Sequence, residues 1–476
     1  MVSIIAARRV FSEADQQDFA AWSGDSNPIH IDPSTARRVG PGALVVHGVH
    51  ELLWCLEQVL AFMPNIRPVA SLRVNFDSFL CVGETADAIL EQANATGLRA
   101  EVRVAGALVL TAVLGFGTPR PAMAIDPALP CFDPVLPLEW PCEQVAGLTG
   151  RVPFGHGTTS LTDAFPRVAR ALGQQRMFAL GCFSRLAGMV CPGLHSLFNR
   201  LALDVGDEDA ATEIGFRIKQ VQPAYRRIVQ EVWGAGWHGV MTCTVRRPPT
   251  RQAGIDELAR AVVPGEFTGT VALVVGGSRG LGEVAAKLLA AGGASVALTY
   301  AAGAEDAIRV GAEIRGFGGT CVMRRLDVMG DVAGQLTGIK PVSNMLAYFA
   351  TPMIAARPAR GYDPARFATL ARFYLTGFHD TCQALMAAGA TRLAAYYPSS
   401  EFVAERPRGM LEYAMAKAAG EVLCQDMAAS WKGFHAVVAR LPPLATDQNP
   451  GLIGSGEVPN TAAMLLPGLR ATARHA

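Results

Sequence analysis

"TVALVVGGSRGLGEVAAKLLAAGGASVALTY", Thr270 to Tyr300, reads as a buried strand, a glycine turn, a helix and a second buried strand. Both strands are near-continuous apolar runs, which suits strands covered on both faces. A strand–helix–strand order of this length makes a parallel pair. The glycines of "GGSRGLG", Gly276 to Gly282, fall where the first strand ends and the helix opens. Glycine there permits a tight turn and lets backbone amides approach a pyrophosphate at the positive end of the helix. A glycine string alone says little, but here a strand precedes it and a helix follows, as the motif requires.

Downstream, "EYAMAKAAGEV" sets Tyr413 and Lys417 one helical turn apart, and Ser400 lies thirteen residues before the tyrosine in "YYPSSEF". Such a trio can exchange a proton with a carbonyl oxygen. The ammonium lowers the phenol pKa, the phenol moves the proton and the serine hydroxyl holds the oxygen. A tyrosine–lysine pair on a helix is also ordinary surface decoration. With lysine only at 219, 287, 340, 417 and 432, coincidence is less probable here than in a lysine-rich chain.

Over about Thr268 to Asn449 these features resemble the short-chain dehydrogenase/reductase family. The resemblance implies a Rossmann-type, doubly wound parallel sheet. It also implies a dinucleotide held by Gly276, Ser278, Arg279, Gly280, Leu281 and Gly282, with Tyr300, Asp327 and Val328 toward the adenosine. Ser400, Tyr413 and Lys417 would be catalytic, the last two also touching the cofactor. An acid at the end of the second strand, about 20 residues past the glycines, favours NAD. That place reads "ALTYAAG", with Tyr300 and no acid, while Arg279 offers positive charge to a 2′-phosphate. NADPH rather than NADH is therefore the expected cofactor. The chain departs from the family at Val275, at "YFATP", at Tyr374 near the place of a catalytic asparagine, and at "RLPPLATDQ". These departures keep open a reductase-like module that binds without catalysing.

Near the other end, "SGDSNPIHIDP", Ser23 to Pro33, puts Asp25 and His30 on either side of an Asn-Pro break. The break keeps this stretch out of a regular helix, so both side chains can face one cleft. A carboxylate and an imidazole there can move water on or off a carbon–carbon double bond, one handling the water and the other the proton at the neighbouring carbon. A helix cap beside a surface histidine is the plain alternative. With "GALVVHGVH" following, the stretch from about Phe11 to Leu114 resembles the hotdog-fold (R)-specific enoyl hydratases, the MaoC-like family. The resemblance implies Asp25 and His30 as the catalytic pair and the Gly48 N–H as donor to a thioester carbonyl. Such a donor would stabilise charge that builds on that oxygen.

"VVHGVHELLW" (Val45–Trp54) and "VCPGLHSLFN" (Val190–Asn199) share Val, Gly, His and Leu, and strand-like runs follow each. Residues 1–118 and 142–248 therefore read as two copies of one unit, each with a helix after this motif. Arg170 and Gln175 stand at the offsets of Asp25 and His30, and His195 echoes His50, which makes the second copy a degenerate half. The expected architecture is multidomain: an α+β double hotdog, then an α/β Rossmann-type doubly wound sheet over 267–476. Proline-rich linkers are expected at 119–141 and 249–266.

Lys and Arg number 42 against 41 Asp and Glu, so the chain lacks the basic surplus that nucleic acid or an anionic membrane attracts. The ten cysteines form no C-x-x-C pair and read as buried thiols. No metal site is expected. Without a signal peptide or an apolar run of about 18 residues, a cytoplasmic protein is expected. The combined reading is a 3-oxoacyl-thioester reductase with an (R)-3-hydroxyacyl-thioester dehydratase, as in fatty-acid or polyketide chain processing. The acyl group would ride on acyl carrier protein or coenzyme A, and the chain would assemble as a homo-oligomer through the reductase domain. The alternative is the degradative direction: (R)-enoyl-CoA hydration followed by NAD-linked oxidation of the 3-hydroxyacyl-CoA.

Overall fold

The computed structural model describes residues 3–39, 42–63, 65, 67–118, 124–207, 211–338, 340, 342–354, 361–446 and 460–476. The chain divides into two compact units, Met1–Pro248 and Pro249–Ala476.

The first unit holds one ten-stranded antiparallel sheet. Its first five strands are β1 (Ile4–Val10), β2 (Val69–Phe76), β3 (Thr85–Ala93), β4 (Gly97–Val104) and β5 (Ala107–Phe116). The other five are β6 (Thr149–Pro153), β7 (Ser196–Val205), β8 (Glu213–Gln222), β9 (Arg227–Gly234) and β10 (Trp237–Val245). The order β1-β3-β4-β5-β2-β7-β10-β9-β8-β6 is the same five-strand arrangement used twice, back to back. The halves join where β2 pairs β7, from Ser71↔Asp204 to Asn75↔Arg200.

Each half curls around one helix. Helix α2 (Gly48–Val59) buries ten of its twelve residues, including Val49, Leu52, Leu53, Leu56 and Val59 at 0% exposure. A helix buried on nearly every side needs cover on every side, and the sheet and the neighbouring helices supply it. In the second half, after α3 (Pro166–Leu172), the same place is taken by α4 (Gln174–Arg185), extended by a π-helical turn, Leu186–Val190. Here the structure corrects the repeat read from sequence. "VCPGLHSLFN" does not start a helix; it follows one, and Ser196 already belongs to β7. Pro192 lacks the N–H a helix needs, and Gly193, at φ +79°, turns the chain into the strand.

The described part of the stretch 119–141 is docked rather than free. Leu138 exchanges hydrogen bonds with Met189 and Leu194, and Trp140 Nε1 donates to Val190 O at 2.8 Å. The stretch 249–266 likewise belongs to the second unit, where Ile255, Leu258 and Val262 enter the core. Clustered prolines make both stretches read as linkers, but each packs through its recurring apolar side chains, the second around a helical turn, Ile255–Leu258.

The second unit holds a six-stranded parallel sheet of β11 (Val271–Val275), β12 (Ser295–Tyr300), β13 (Thr320–Arg325), β14 (Met345–Tyr348), β15 (Leu393–Ser400) and β16 (Phe434–Leu441), in the order β13-β12-β11-β14-β15-β16. Ala272 and Val274 face one core, with α5 (Gly280–Ala291), α6 (Ala304–Gly316) and a C-terminal helix, Thr461–Ala473. Leu273 and Val275 face another, formed with Gly377–Ala387 and Leu411–Ser430. The strand order reverses at β11, and ligand crevices of such sheets open beyond the carboxyl ends of the strands at that point.

Candidate active site

Asp25 is placed by the end of the helix before it. Ser12 and Asp15 form a capping box that starts α1 (Glu13–Ser23), and Gly24, at φ +78°, ends it. Asn27 then caps a single helical turn, Pro28–Ile31, by accepting from the Ile29 N–H at 3.2 Å, and that turn carries His30. The Asn27 amide also donates to Gly188 O at 2.8 Å and Gly193 O at 3.2 Å, fastening this loop to the second half.

Asp25 is 2% exposed. Its Oδ2 accepts from Ser184 Oγ at 2.7 Å and its Oδ1 from the Asn27 N–H at 3.2 Å. Burial pushes the carboxyl above its ordinary range, against His30, Ser184, Asn27 and Arg185, which favour the ion. His30 Nδ1 lies 2.7 Å from Val45 O. A carbonyl there fixes the hydrogen on Nδ1 and leaves the Nε2 lone pair for chemistry. Burial lowers the His30 pKa, opposed by Asp25, so the ring rests neutral. Its face stacks on His47 at 3.8 Å.

One carboxylate oxygen of Asp25 and one ring nitrogen each of His30 and His47 lie within 4.8 Å of one another. His47 meets Asp25 O through Nε2 at 2.9 Å and Gln16 Oε1 through Nδ1 at 3.0 Å, so neither of its nitrogens is open to a cation. The arrangement suits proton exchange between Asp25 and His30.

Both side chains line a cavity of about 270 Å³ that also takes in Gly48, Glu51, Ser184 and Gly188. Gly48 is the first residue of α2, so its N–H has no partner within the helix. A Cβ there would sit 2.8 Å from Phe76 Cε1. Sequence reading missed Ser184 and Gly188, which both come from the second half. A Cβ on Gly188 would fall 2.1 Å from Asp25 Oδ1, so the carboxyl rests against bare backbone. The available signal was a serine and a glycine four apart inside the apolar "CFSRLAGMV". His195 stands apart from this group, with Nε2 2.9 Å from Glu139 Oε1.

In the second unit Gly276 takes φ +73° and Gly280 φ +58°, and a Cβ on Gly282 would fall 2.2 Å from Gly276 O. Backbone this close leaves a cradle that side chains would fill. Ser278 is buried in that turn, Arg279 is the N-cap residue of α5, and Leu281 lies in its first turn. Tyr300 ends β12, and its register partner on β13 is Arg325. Asp327 is half-buried and its Oδ1 accepts from the Met329 N–H at 2.9 Å, beside the buried Val328.

Ser400, Tyr413 and Lys417 meet at a cavity of about 100 Å³, which Arg279, Leu281 and Gly282 also reach. Burial pushes the Tyr413 phenol up to about 12 and a hydrogen bond from Ser400 opposes it. Burial brings Lys417 down to about 7. The Lys417 ammonium donates to Pro398 O at 2.7 Å and lies 3.9 Å above the Tyr374 ring. Of the "RLPPLATDQ" departure, Leu441, Pro442, Pro443 and Thr446 line this cavity, while Asp447 and Gln448 lie outside the described residues.

No curated protein matches the chain. Solved structures similar to part of it are short-chain dehydrogenases. One from Burkholderia cenocepacia in complex with NADP is 24% identical, with a TM-score of 0.37, over 43% of this chain and 91% of that one. Another from Serratia marcescens is 22% identical, with a TM-score of 0.40, over 44% and 91%. A dehydrogenase/reductase from Sinorhizobium meliloti is 23% identical, with a TM-score of 0.38, over 46% and 92%. The family described as "MaoC like domain" matches residues 4–113, the segment that carries Asp25, His30 and Gly48. Residues 4–113 are a MaoC-like domain.

Proposed function

We propose that the first unit is a double hotdog that interconverts (R)-3-hydroxyacyl and trans-2-enoyl thioesters. The observation that carries this is the meeting of Asp25, His30, Ser184 and the Gly48 N–H at one cavity. In hydration His30 Nε2 takes a proton from water as its oxygen bonds C3. Asp25, in its acid form, gives a proton to C2, and the Gly48 N–H holds the thioester oxygen where charge collects. The proton on His30 then returns to Asp25 across the short gap between them. Dehydration is the reverse. The acyl group is taken from acyl carrier protein or coenzyme A.

The second unit is a Rossmann-type 3-oxoacyl-thioester reductase using NADPH. The cradle at Gly276 and Gly282 fits a dinucleotide pyrophosphate, and with Tyr300 rather than an acid ending β12, Arg279 and Arg325 suit a 2′-phosphate. When bound, NADPH supplies hydride to the 3-oxo carbon. Ser400 holds the carbonyl oxygen, Tyr413 protonates it, and Lys417 raises the acidity of Tyr413. The two reactions are consecutive by chemistry: reduction makes the 3-hydroxyacyl group that dehydration consumes. Leu411, Met415 and Val422 leave an exposed apolar stripe on the helix Leu411–Ser430, which supports a homo-oligomer through this unit. Among the described residues no helix is long and apolar enough to cross a membrane.

A second reading rests on Lys417. Its ammonium sits on Pro398 O and the Tyr374 ring and is 6.0 Å from the centre of the Tyr413 ring, which favours a module that binds nucleotide without reducing. The deciding experiment gives purified protein acetoacetyl and crotonyl thioesters of both carriers, following NADPH absorbance and the enoyl chromophore together. Hydration without NADPH consumption supports the second reading, and no hydration overturns the first unit's assignment.

A further inference from the structure

Glu51 is a carboxyl that the chemistry above does not use. It lies one turn along α2 from Gly48 and lines the same cavity as Asp25 and His30. The residue is 2% exposed. Its backbone N–H bonds His47 O, but among the described residues no group hydrogen-bonds its carboxyl. The same cavity mixes apolar side chains, Phe76, Leu80 and Phe198 among them, with the polar Ser78, Ser196 and Asn199. Burial alone holds the carboxyl well above its ordinary range, which favours the protonated form, an acid with a hydrogen to give. A bound group that hydrogen-bonds the carboxyl stands in for the water of the cavity, whereas one that cannot leaves it unpaired at a cost of about 1–3 kcal/mol.

We propose that Glu51 selects acyl groups that carry a hydrogen-bonding oxygen, a hydroxyl or a keto group, beyond C3. This rests on the hydratase reading of the cavity. There the thioester oxygen is committed to Gly48, and C2 and C3 to Asp25 and His30. That leaves Glu51, one turn along the same helix, for the remaining chain. A neutral acid donates to a hydroxyl or carbonyl oxygen and accepts from a hydroxyl. An ammonium group would require the carboxylate ion, which burial opposes. A plain alkyl chain would strip water from the carboxyl and return nothing.

The test compares hydration of trans-2-hexenoyl-CoA with its 5-oxo and 5-hydroxy analogues. Wild type is expected to favour the oxygenated substrates at least ~10-fold in kcat/KM, since a site built to bond an oxygen discriminates strongly against the analogue that lacks it. Glu51→Gln, which still donates, should keep most of that preference, and Glu51→Leu should reverse it toward hexenoyl-CoA. Calorimetry with the saturated 5-hydroxyhexanoyl-CoA gives the same comparison as binding, and circular dichroism establishes that each variant folds. Wild-type ratios within twofold, or a ratio that Glu51→Leu leaves unchanged, would overturn the proposal while hydration itself stands. Failure to hydrate any of the three overturns the hydratase reading and this proposal with it.

Discussion

Ser184 Oγ donates to Asp25 Oδ2 at 2.7 Å, a bond between a helix of the second half and a loop of the first, 159 residues apart in sequence. The second half therefore helps to build the site that Asp25 and His30 of the first half occupy. This bond favours the ionised carboxyl and works against the burial that raises its pKa.

Ser184→Ala is expected to lower kcat for crotonyl-CoA hydration about 10–100-fold, the loss of a hydrogen bond to a charged group of about 1.5–3 kcal/mol. The sign of the pH effect follows from the bond. Without it the Asp25 pKa rises further, so the limb of the pH–rate profile that belongs to Asp25 moves to higher pH, by about one unit for each ~1.4 kcal/mol lost. A variant with wild-type rate and profile would make Ser184 a packing residue.

Gly188→Ala should be more severe. The new methyl would lie 2.1 Å from Asp25 Oδ1, and Asn27 holds the same backbone through Gly188 O. The carboxyl must move, and a shift of about 1 Å at a reacting group costs on the order of 100-fold. Stopped assays should show kcat falling with KM little changed, and the NADPH-linked reaction should be unaffected.

The sequence made the parallel sheet legible because periodicity, glycine position and helix opening agree from Thr270 to Tyr300. Asp25, His30 and Gly48 could be named from the sequence because they lie within a short span, the first two on either side of the break at Pro28, and the structure adds that all three line one cavity. Ser184, Gly188 and Glu51 could not be named in that way. Each sits in an apolar helix, and their meaning comes from which strand pairs with which. The repeat is legible but its register is not, since four shared letters mask Pro192, which lacks a backbone N–H and falls between the end of one helix and the start of a strand.

Glu51 also makes the first unit sensitive to pH. Its folded pKa is raised by burial above its unfolded value, so its contribution is fully present below the unfolded value, about 4.3, and is lost as pH rises toward the folded one. Glu51→Gln removes that loss. Thermal unfolding from pH 5 to 8 should show the variant gaining on wild type as pH rises, and a constant difference would count against a buried neutral acid. His47, whose pKa burial lowers, acts in the opposite direction but is common to both proteins.

The reductase pair gives the last test. Lys417 is brought to about 7 and Tyr413 is pushed up to about 12, both chiefly by burial. Below about 7 the ammonium is charged, and its field makes the phenol a better acid toward the 3-oxo oxygen. Above that value the charge is lost while the phenol stays protonated and weakly acidic. The kcat/KM for acetoacetyl-CoA reduction, which reports the free enzyme, should therefore fall as pH rises through about 7. Lys417→Met should give a low and flat profile across that range. Tyr413→Phe should abolish NADPH consumption while crotonyl-CoA hydration continues at the wild-type rate. If Lys417→Met keeps both the rate and the pH dependence, the ammonium on Pro398 and Tyr374 is a structural cation, and the second unit's chemistry must be carried without it.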